Sequence, residues 1–303
     1  MSRLKIAFVA SGGAARGLAH LGVLKACEEL GIHPEIYVGT GTGALVGATY
    51  GQDIPLDVLL DAYRLPWRRR HSGPRMHVTT FLGMPSFRDL LDPSYLLSGA
   101  FSLEKLEKYA ERTLPINDFS KLPQQVFITA VDIDSAQRVV FGPGYEEGVS
   151  ISRAVAAAQC VPGVFRPFRI GDRYYVSGEV AKTLSADVAI AAGADVIIIS
   201  NVYRPENVES GGVARGGPFG VIRQSMNILF SEKERRGVEL YAKLHPNIVF
   251  LDVAPDVGQF GYANRFAARP LVLRGYRQGL RVLAEAKERG VFERAPSLNL
   301  RMN

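Results

Sequence analysis

The sequence has little of what a secreted or membrane-spanning protein needs. It contains two cysteines, Cys27 and Cys160, among 303 residues, so no disulfide framework supports an extracellular fold. No apolar run approaches the roughly 18 to 20 residues of a transmembrane helix. The first apolar run, residues 6–10, is too short for a signal peptide and leads directly into glycines. These absences predict a globular protein of the cytoplasm.

Signals for metals and nucleic acids are also scarce. The five histidines show no metal-ligand spacing, and neither HExxH nor CxxC occurs, so no metal and no cofactor are expected. The net charge of +6 is a mild bias, and without an aromatic-interleaved basic stripe nucleic acid is not an expected partner. One basic cluster stands out, at Trp67, Arg68, Arg69 and Arg70. It is either a solvated loop or a peripheral contact with an anionic membrane surface.

Strand and helix patterns alternate along the chain, starting with a strand at 4–10, a glycine-rich turn and a helix at 18–30. This order predicts an α/β fold of three layers, a mostly parallel sheet with helices on both faces. Prolines interrupt the pattern at about 52–101, which is predicted to be a helical or loop insertion. The whole chain, 1–303, is expected to be one domain. A glycine-rich loop is predicted at 204–217.

A glycine-framed turn follows the second predicted strand, in the stretch YVGTGTGALVGATYG. Its residues are Gly39, Thr40, Gly41, Thr42 and Gly43. A strand, a five-residue turn and a helix is the arrangement in which hydrolases present the nucleophile of G-x-S-x-G. The central position here is Gly41, which has no hydroxyl and readily adopts the positive φ of such a turn. Thr40 and Thr42 are not framed by glycines and resist positive φ, so Thr42 is expected to cap the helix.

A second glycine-rich turn, SGGAARG at 11–17, follows the first strand and opens the first helix. Its backbone N–H groups and the helix dipole favour an anion, either a phosphate or a developing oxyanion. A dinucleotide site would place an acidic residue at the end of the second strand, where this chain has glycines. Arg16 is expected either to brace the turn or to hold an anionic head group. His20 is expected either to pack in the core or to lie on the helix surface, rather than to act in catalysis.

These two turns, together with YYVSGEVAKTLSADVAIAAGADVIII at 174–199, resemble the patatin-like phospholipase family. The family pattern reads SGGGARG, GTSAG and yvDGG followed by a GAD strand. The counterparts in this chain are SGGAARG, GTGTG and YYVSGEV, with GADVIII following. The resemblance covers nearly the whole chain in order, and it implies the patatin-like α/β fold.

The chain departs from the family where the chemistry of the family lies. Family members use a Ser–Asp dyad, and these positions map onto Gly41 and Ser177. Thr42 and Glu179 are the weak substitutes. If the strand stayed extended, Glu179 would share the face of Ser177 one step further along, and it is expected to be solvated or salt-bridged. The anion-binding role of the family's first turn carries over to Gly12, Gly13, Ala14, Ala15, Arg16 and Gly17.

The resemblance and the lost dyad together predict a catalytically inactive family member that retains its oxyanion loop. Such a protein would bind a lipid or fatty-acyl ligand, or a partner. One alternative is an active lipid acyl hydrolase with a displaced nucleophile. A second alternative is a phosphate- or nucleotide-binding module at 11–17.

Overall fold

The computed structural model describes residues 4–63, 101–203, 210–257 and 268–293. Within these ranges eight strands form one sheet. The strands are β1 (Ile6–Ala10), β2 (Ile36–Thr40), β3 (Gln125–Asp132), β4 (Gln137–Phe141), β5 (Phe168–Ile170), β6 (Arg173–Ser177), β7 (Val196–Ser200) and β8 (Val249–Val253). The helices are α1 (Ala19–Glu29), α2 (Thr42–Tyr50), α3 (Leu56–Tyr63), α4 (Glu104–Thr113), α5 (Ile151–Gln159), α6 (Ala186–Ala191), α7 (Gly212–Arg215), α8 (Gly217–Leu244) and α9 (Ala268–Glu288).

The sheet is parallel through its centre and antiparallel at one end. Strands β8, β7, β1, β2 and β3 pair in parallel in that order. Strands β4 and β6 pair antiparallel with β3, and β5 pairs antiparallel with β6. The predicted α/β fold is confirmed, with a mixed sheet. Parallel strands need helices on both faces, and the alternation of buried residues along β1 reflects this. Phe8 and Ala10 face α1, α2 and α5, whereas Ala7 and Val9 face α6.

The register of β3 brings two strand ends together. Strand β4 lies along one edge of β3, opposite residues 128–132. The other edge is shared, because β2 pairs with residues 125–129 and β6 with residues 130–132. Thr129 is therefore opposite Thr40, the last residue of β2, and Ala130 is opposite Ser177, the last residue of β6. The turn after β2 and the turn after β6 must leave the sheet side by side.

Two local predictions need correction. The loop predicted at 204–217 contains a helix, α7, and ends where α8 begins, at Gly217. Residues 204–209 lie outside the described part. Pro218 in the first turn of α8 favours helix initiation despite the glycines around it. Strand β5 was missed because three residues are too few to show a pattern. Of the predicted insertion, α3 is described, and 64–100 lie outside the described residues.

Helices α1 and α9 pack with their backbones in contact, which requires glycine at two positions. A Cβ on Gly22 would overlap the carbonyl oxygen of Val272, and a Cβ on Gly275 would overlap that of Ala19. These neighbours are backbone atoms, so relief requires the helices to separate, which would open gaps in a close-packed core.

We expect Gly275→Ala to lower the free energy of unfolding by roughly 1 to 3 kcal/mol, because this overpacking outweighs the higher helix propensity of alanine. The matched control is Gly237→Ala in α8, where no atom lies within 4 Å of the added Cβ. It should stabilise the protein by up to about 1 kcal/mol. Urea unfolding of both variants measures the contrast, and equal effects would contradict the packing argument.

Candidate active site

The turn between β2 and α2 has the backbone of a nucleophile elbow. Gly41 has φ 54° and ψ −125° and is the residue immediately before α2. This region costs an L-residue about 1–3 kcal/mol, and glycine adopts it with little strain. The flanking glycines allow the sharp turn, since a Cβ on Gly39 would lie 2.5 Å from the carbonyl oxygen of Gly43. The predicted elbow residues thus form a sharp turn between β2 and α2, without a side chain at its apex.

The hydroxyl groups beside the apex are engaged elsewhere. Thr40 Oγ1 lies 2.6 Å from Thr129 Oγ1. Thr42 Oγ1 donates to the carbonyl oxygen of Ala14 at 2.8 Å. The prediction that Thr42 caps α2 is wrong, because its hydroxyl bonds to the other glycine turn rather than to its own helix. Both side chains therefore tie neighbouring segments together.

The first glycine turn leads into a short 3₁₀ helix, Ala14–Leu18. Gly13 precedes it with φ 98°, and Ala14 follows with φ 53°. A left-handed alanine costs roughly 1–2 kcal/mol, so the turn retains a geometry that suits the third glycine of the family pattern. Gly12, Gly13 and Gly17 are buried. Ala15 packs in a small apolar cluster beside the turn.

Glu179 is the unexpected member of the site. The prediction of a solvated or salt-bridged side chain is wrong, since its residue is only 6% exposed. Strand β6 ends at Ser177 and residues 178–180 form a 3₁₀ turn, so strand alternation no longer sets the direction of this side chain. Its carboxylate lies against the glycine turn, where a Cβ on Gly12 would overlap Oε1.

The same carboxylate lies beneath the empty apex of the elbow. A Cβ on Gly41 would be 3.3 Å from Glu179 Oε1 and 3.0 Å from the Cα of Gly12. A hydroxyl on that Cβ would have to share this space with the carboxylate. Ser177 is buried as well, and its Oγ accepts from the backbone N–H of Glu179 at 3.5 Å. The two dyad positions and Glu179 thus form one cluster.

Burial raises the pKa of the Glu179 carboxyl above its usual range, although several groups oppose this. The Tyr203 hydroxyl donates to Oε1 at 2.7 Å. The positive charge of Arg16 and the backbone N–H groups of Gly13 and Gly12 also favour the ionised form. The carboxyl group therefore takes the position that an anionic ligand of the glycine turn would take.

Arg16 and Tyr203 form a clamp over this carboxyl group. The Arg16 guanidinium lies 5.0 Å from the centre of the Tyr203 ring, in cation–π geometry. Its Nη2 donates to Asn227 Oδ1 of α8 at 3.2 Å, and Nε contacts the carbonyl oxygen of Gly13 at 3.5 Å. Tyr203 packs edge-on against Phe230 of α8. Arg16 thus connects the turn to α8.

Helix α8 also fixes the segment that carries Glu179. Lys233 Nζ donates to the carbonyl oxygens of Glu179 at 3.2 Å and Ala181 at 3.1 Å. Glu234 Oε1 accepts from the backbone N–H of Thr183 at 2.7 Å. The backbone of 179–183 is held on both sides of its turn, which directs the Glu179 side chain into the site.

His20 joins the glycine turn to the end of β7. Because a carbonyl can only accept, His20 Nε2 donates to the Ser11 oxygen at 2.8 Å, and Nδ1 accepts from Ser200 Oγ at 2.7 Å. Burial lowers the pKa of His20 to about 4. Ser200 and His20 resemble a nucleophile–base pair, but both are fully buried. The pair links the glycine turn to β7, and of the two roles expected for His20 its burial excludes the helix surface.

This buried histidine should make the protein sensitive to acid. In the unfolded chain the His20 imidazole binds a proton near pH 6.5, whereas in the folded protein it binds one only near pH 4. The stabilisation is complete above pH 6.5 and is lost as pH falls to 4, by roughly 3 kcal/mol. In the His20→Gln variant the free energy of unfolding, measured by urea unfolding at each pH, should not show this fall between pH 6.5 and pH 4. The exposed His33→Gln variant is the control, and an unchanged slope in His20→Gln would refute the assignment.

Other chemistry is weakly represented among the described residues. No group of three or more histidine, cysteine, aspartate or glutamate side chains there could hold a metal ion. Cys160 is buried, which raises the pKa of its thiol to about 12, as suits a core residue rather than a nucleophile. No described helix has the length and hydropathy that a membrane span requires.

The sequence and this geometry agree with a family assignment. The family model described as patatin-like phospholipase matches residues 8–190. That range contains the glycine turn, the elbow and the turn after β6. The chain belongs to the patatin-like phospholipase family, and the resemblance found in the sequence is confirmed.

Curated relatives are much longer proteins. Patatin-like phospholipase domain-containing protein 6 of Homo sapiens is 30% identical over 200 residues, which are 65% of this chain and 13% of that protein. Lysophospholipase nte1 of Aspergillus fumigatus is 25% identical over 197 residues, 65% of this chain and 12% of that protein. The chain thus spans about an eighth of the length of these relatives.

Among solved structures, VipD from Legionella pneumophila superposes with a TM-score of 0.46 at 12% sequence identity. The match covers 94% of this chain and 67% of that chain.

Sequence reasoning missed several residues of the site: Thr129, Ser200, Tyr203, Asn227 and Lys233. Two of them had a detectable signal. Ser200 ends β7 and Tyr203 follows three residues later, and the carboxyl ends of parallel strands are where ligand sites form in α/β sheets. Asn227 and Lys233 lie in α8, where no local pattern distinguishes them from a solvated helix face.

Proposed function

We propose that this patatin-like protein is catalytically silent and acts by binding a lipid or fatty-acyl ligand or a partner protein. The single observation that carries the proposal is the carboxyl group of Glu179. It fills the space between the glycine turn at Gly12 and the side-chain-free apex at Gly41. An ester carbonyl has neither a nucleophile to meet nor an open oxyanion site. We place the protein, as a single domain, in the cytoplasm.

The alternative of a displaced nucleophile is less well supported by the site. Thr40 and Thr42 are bonded to other segments. Glu179 itself touches the turn that would have to receive the substrate oxygen, so it cannot attack a carbonyl held there. An oxyanion site without a nucleophile still leaves roughly 10³–10⁴-fold acceleration over water, but here that site is occupied.

The alternative of a nucleotide site at 11–17 is disfavoured by charge. A phosphate beside Gly12 would meet the Glu179 carboxylate, and like charges at close range cost several kcal/mol inside a protein. ATP and NAD should therefore leave the melting temperature unchanged. A clear rise with either nucleotide would favour the nucleotide-binding alternative.

The test of the proposal is binding without turnover. The protein should bind a fluorescent fatty acid or lysophospholipid through its acyl chain, because the family fold is retained while the reactive hydroxyl is lost. It should release no product from p-nitrophenyl butyrate or a labelled phospholipid, and a fluorophosphonate probe should not attach. Fluorescence anisotropy, product release and mass spectrometry measure the three outcomes.

The positive control is the variant Gly41→Ser with Ser177→Asp and Glu179→Gly, which restores the family pattern at all three positions. Fluorophosphonate should phosphonylate the introduced hydroxyl, with loss of fluoride and transfer of the hydroxyl proton to the introduced carboxylate. Stoichiometric labelling of the wild-type protein would overturn the proposal. If the protein binds no acyl ligand but does capture a partner protein, the proposal is narrowed to binding of a partner.

Peripheral contact with a lipid surface is a second part of the proposal. Trp67, Arg68, Arg69 and Arg70 lie outside the described residues. In the described part, α8 exposes an apolar face near its start, formed by Val221, Ile222, Met226, Ile228 and Leu229. The sequence from 210 to 231 contains two arginines and no acidic residue. An apolar helix face without acidic residues is suited to anionic lipid.

We expect the protein to sediment with phosphatidylserine vesicles more than with phosphatidylcholine vesicles, and less at high salt. Ile222→Asp with Leu229→Asp should reduce sedimentation severalfold, because charge is placed on the apolar face. The matched control is Leu240→Asp with Leu244→Asp, two exposed leucines at the other end of α8. Equal loss in both variants would remove the contact from the proposal.

A further inference from the structure

The glycine turn of this protein already holds a carboxyl group, and that group belongs to the protein. Glu179 reaches the turn from the 3₁₀ segment after β6. Its Oε1 accepts from Tyr203 at 2.7 Å. Gly12 has no room for a side chain because the carboxyl group lies in that space. A buried carboxyl group with partners on several sides is a bound group rather than a chance contact.

We infer that Glu179 is the resident ligand of the glycine turn, and that the turn is a site for a carboxylate which external acids reach only when this side chain is absent or displaced. The inference deepens the proposed function, because it names what keeps the silent site closed. It also gives the ligand class that the vacated turn would take, a monocarboxylate presented end-on.

The surroundings of Glu179 fit a carboxylate better than a larger anion. A planar carboxylate presents two oxygens, and Oε1 already has a donor in the Tyr203 hydroxyl. The backbone N–H groups of Gly12 and Gly13 and the charge of Arg16 stabilise the ionised form. Lys233 is directed at backbone carbonyls of the segment and not at the carboxyl group. No lysine or arginine nitrogen is recorded in a hydrogen bond to the carboxyl group among the described residues, which fits a carboxylate better than a phosphate dianion.

The resemblance to the family also gives Glu179 a counterpart. In the yvDGG pattern of the family the final glycine corresponds to Glu179. A glycine there would leave the space beside Gly12 unfilled in this fold, whereas glutamate fills it. The chain thus differs from the family at three places in one cluster: Gly41, Ser177 and Glu179.

The inference is tested by removing the side chain and supplying its missing atoms. Glu179→Gly lacks a segment whose shape is that of propionate, and Glu179→Ala lacks one whose shape is that of acetate. Each variant should melt roughly 4 to 8 °C below the wild-type protein, because buried donors lose their partner. Propionate for the glycine variant and acetate for the alanine variant should recover about half of this loss, in a saturable manner.

Four controls separate binding from a general salt effect. The wild-type protein and Glu179→Gln, whose side chains fill the site, should not respond to either acid. Propionamide, the neutral analogue of propionate, should recover much less. Inorganic phosphate should recover nothing in either truncated variant. Propionate should raise the melting temperature more than acetate in Glu179→Gly, and acetate more than propionate in Glu179→Ala. Such a dependence on chain length would identify the vacated site as the place where the acid binds.

A second measurement uses the family dyad. Gly41→Ser with Ser177→Asp should remain unlabelled by fluorophosphonate while Glu179 is present, and addition of Glu179→Gly should increase labelling at least tenfold. Equal labelling of the two variants would overturn the inference, as would failure of both acids to raise either melting temperature. Labelling of the wild-type protein would instead overturn the proposed silence of the site, so the two failures are distinguishable.

Discussion

The contact between the Glu179 carboxyl group and the backbone at Gly12 is the constraint on which the site depends. It requires a residue without a side chain in the first glycine turn, a side-chain-free apex at Gly41, and a donor on the far side, which Tyr203 supplies. Helix α8 supports this contact. Lys233 and Asn227 hold the segment and the clamp that enclose the carboxyl group, so a helix far along the chain completes a site begun by the first strand.

The pairing register of β2 and β6 with β3 makes this contact possible. Strands β2 and β6 share one edge of β3, with Thr40 opposite Thr129 and Ser177 opposite Ala130. Turns that leave from adjacent positions must be neighbours whatever their side chains are. The arrangement therefore survives the loss of both dyad members, because it is specified by strand pairing and by the glycines of the elbow. Glycine at 41 and serine at 177 need no change in fold, and the relief of strain favours glycine at 41 slightly.

Much of the fold could be predicted from the sequence, and less of the site. Apolar runs and glycine stops located the parallel strands, because buried strands of this kind are almost continuously hydrophobic. The elbow and the glycine turn were visible because each needs glycine for a stated backbone reason. Glu179 was misjudged because strand alternation was extended past Ser177, where the backbone turns into a 3₁₀ segment. Thr42 was misjudged because its hydroxyl prefers a carbonyl of a segment 28 residues away, a contact that no local pattern encodes.

The changes at 177 and 179 are linked by electrostatics. The family pattern has one carboxylate in this cluster, at the position of Ser177, and this chain also has one, at Glu179. Two carboxylates so close together in a buried site would compete for few donors, and the pKa of one would rise strongly. Serine at 177 avoids that conflict and accepts the backbone N–H of Glu179 instead. A glutamate at 179 and an aspartate at 177 are thus mutually unfavourable, so serine at 177 and glutamate at 179 are two aspects of one charge balance.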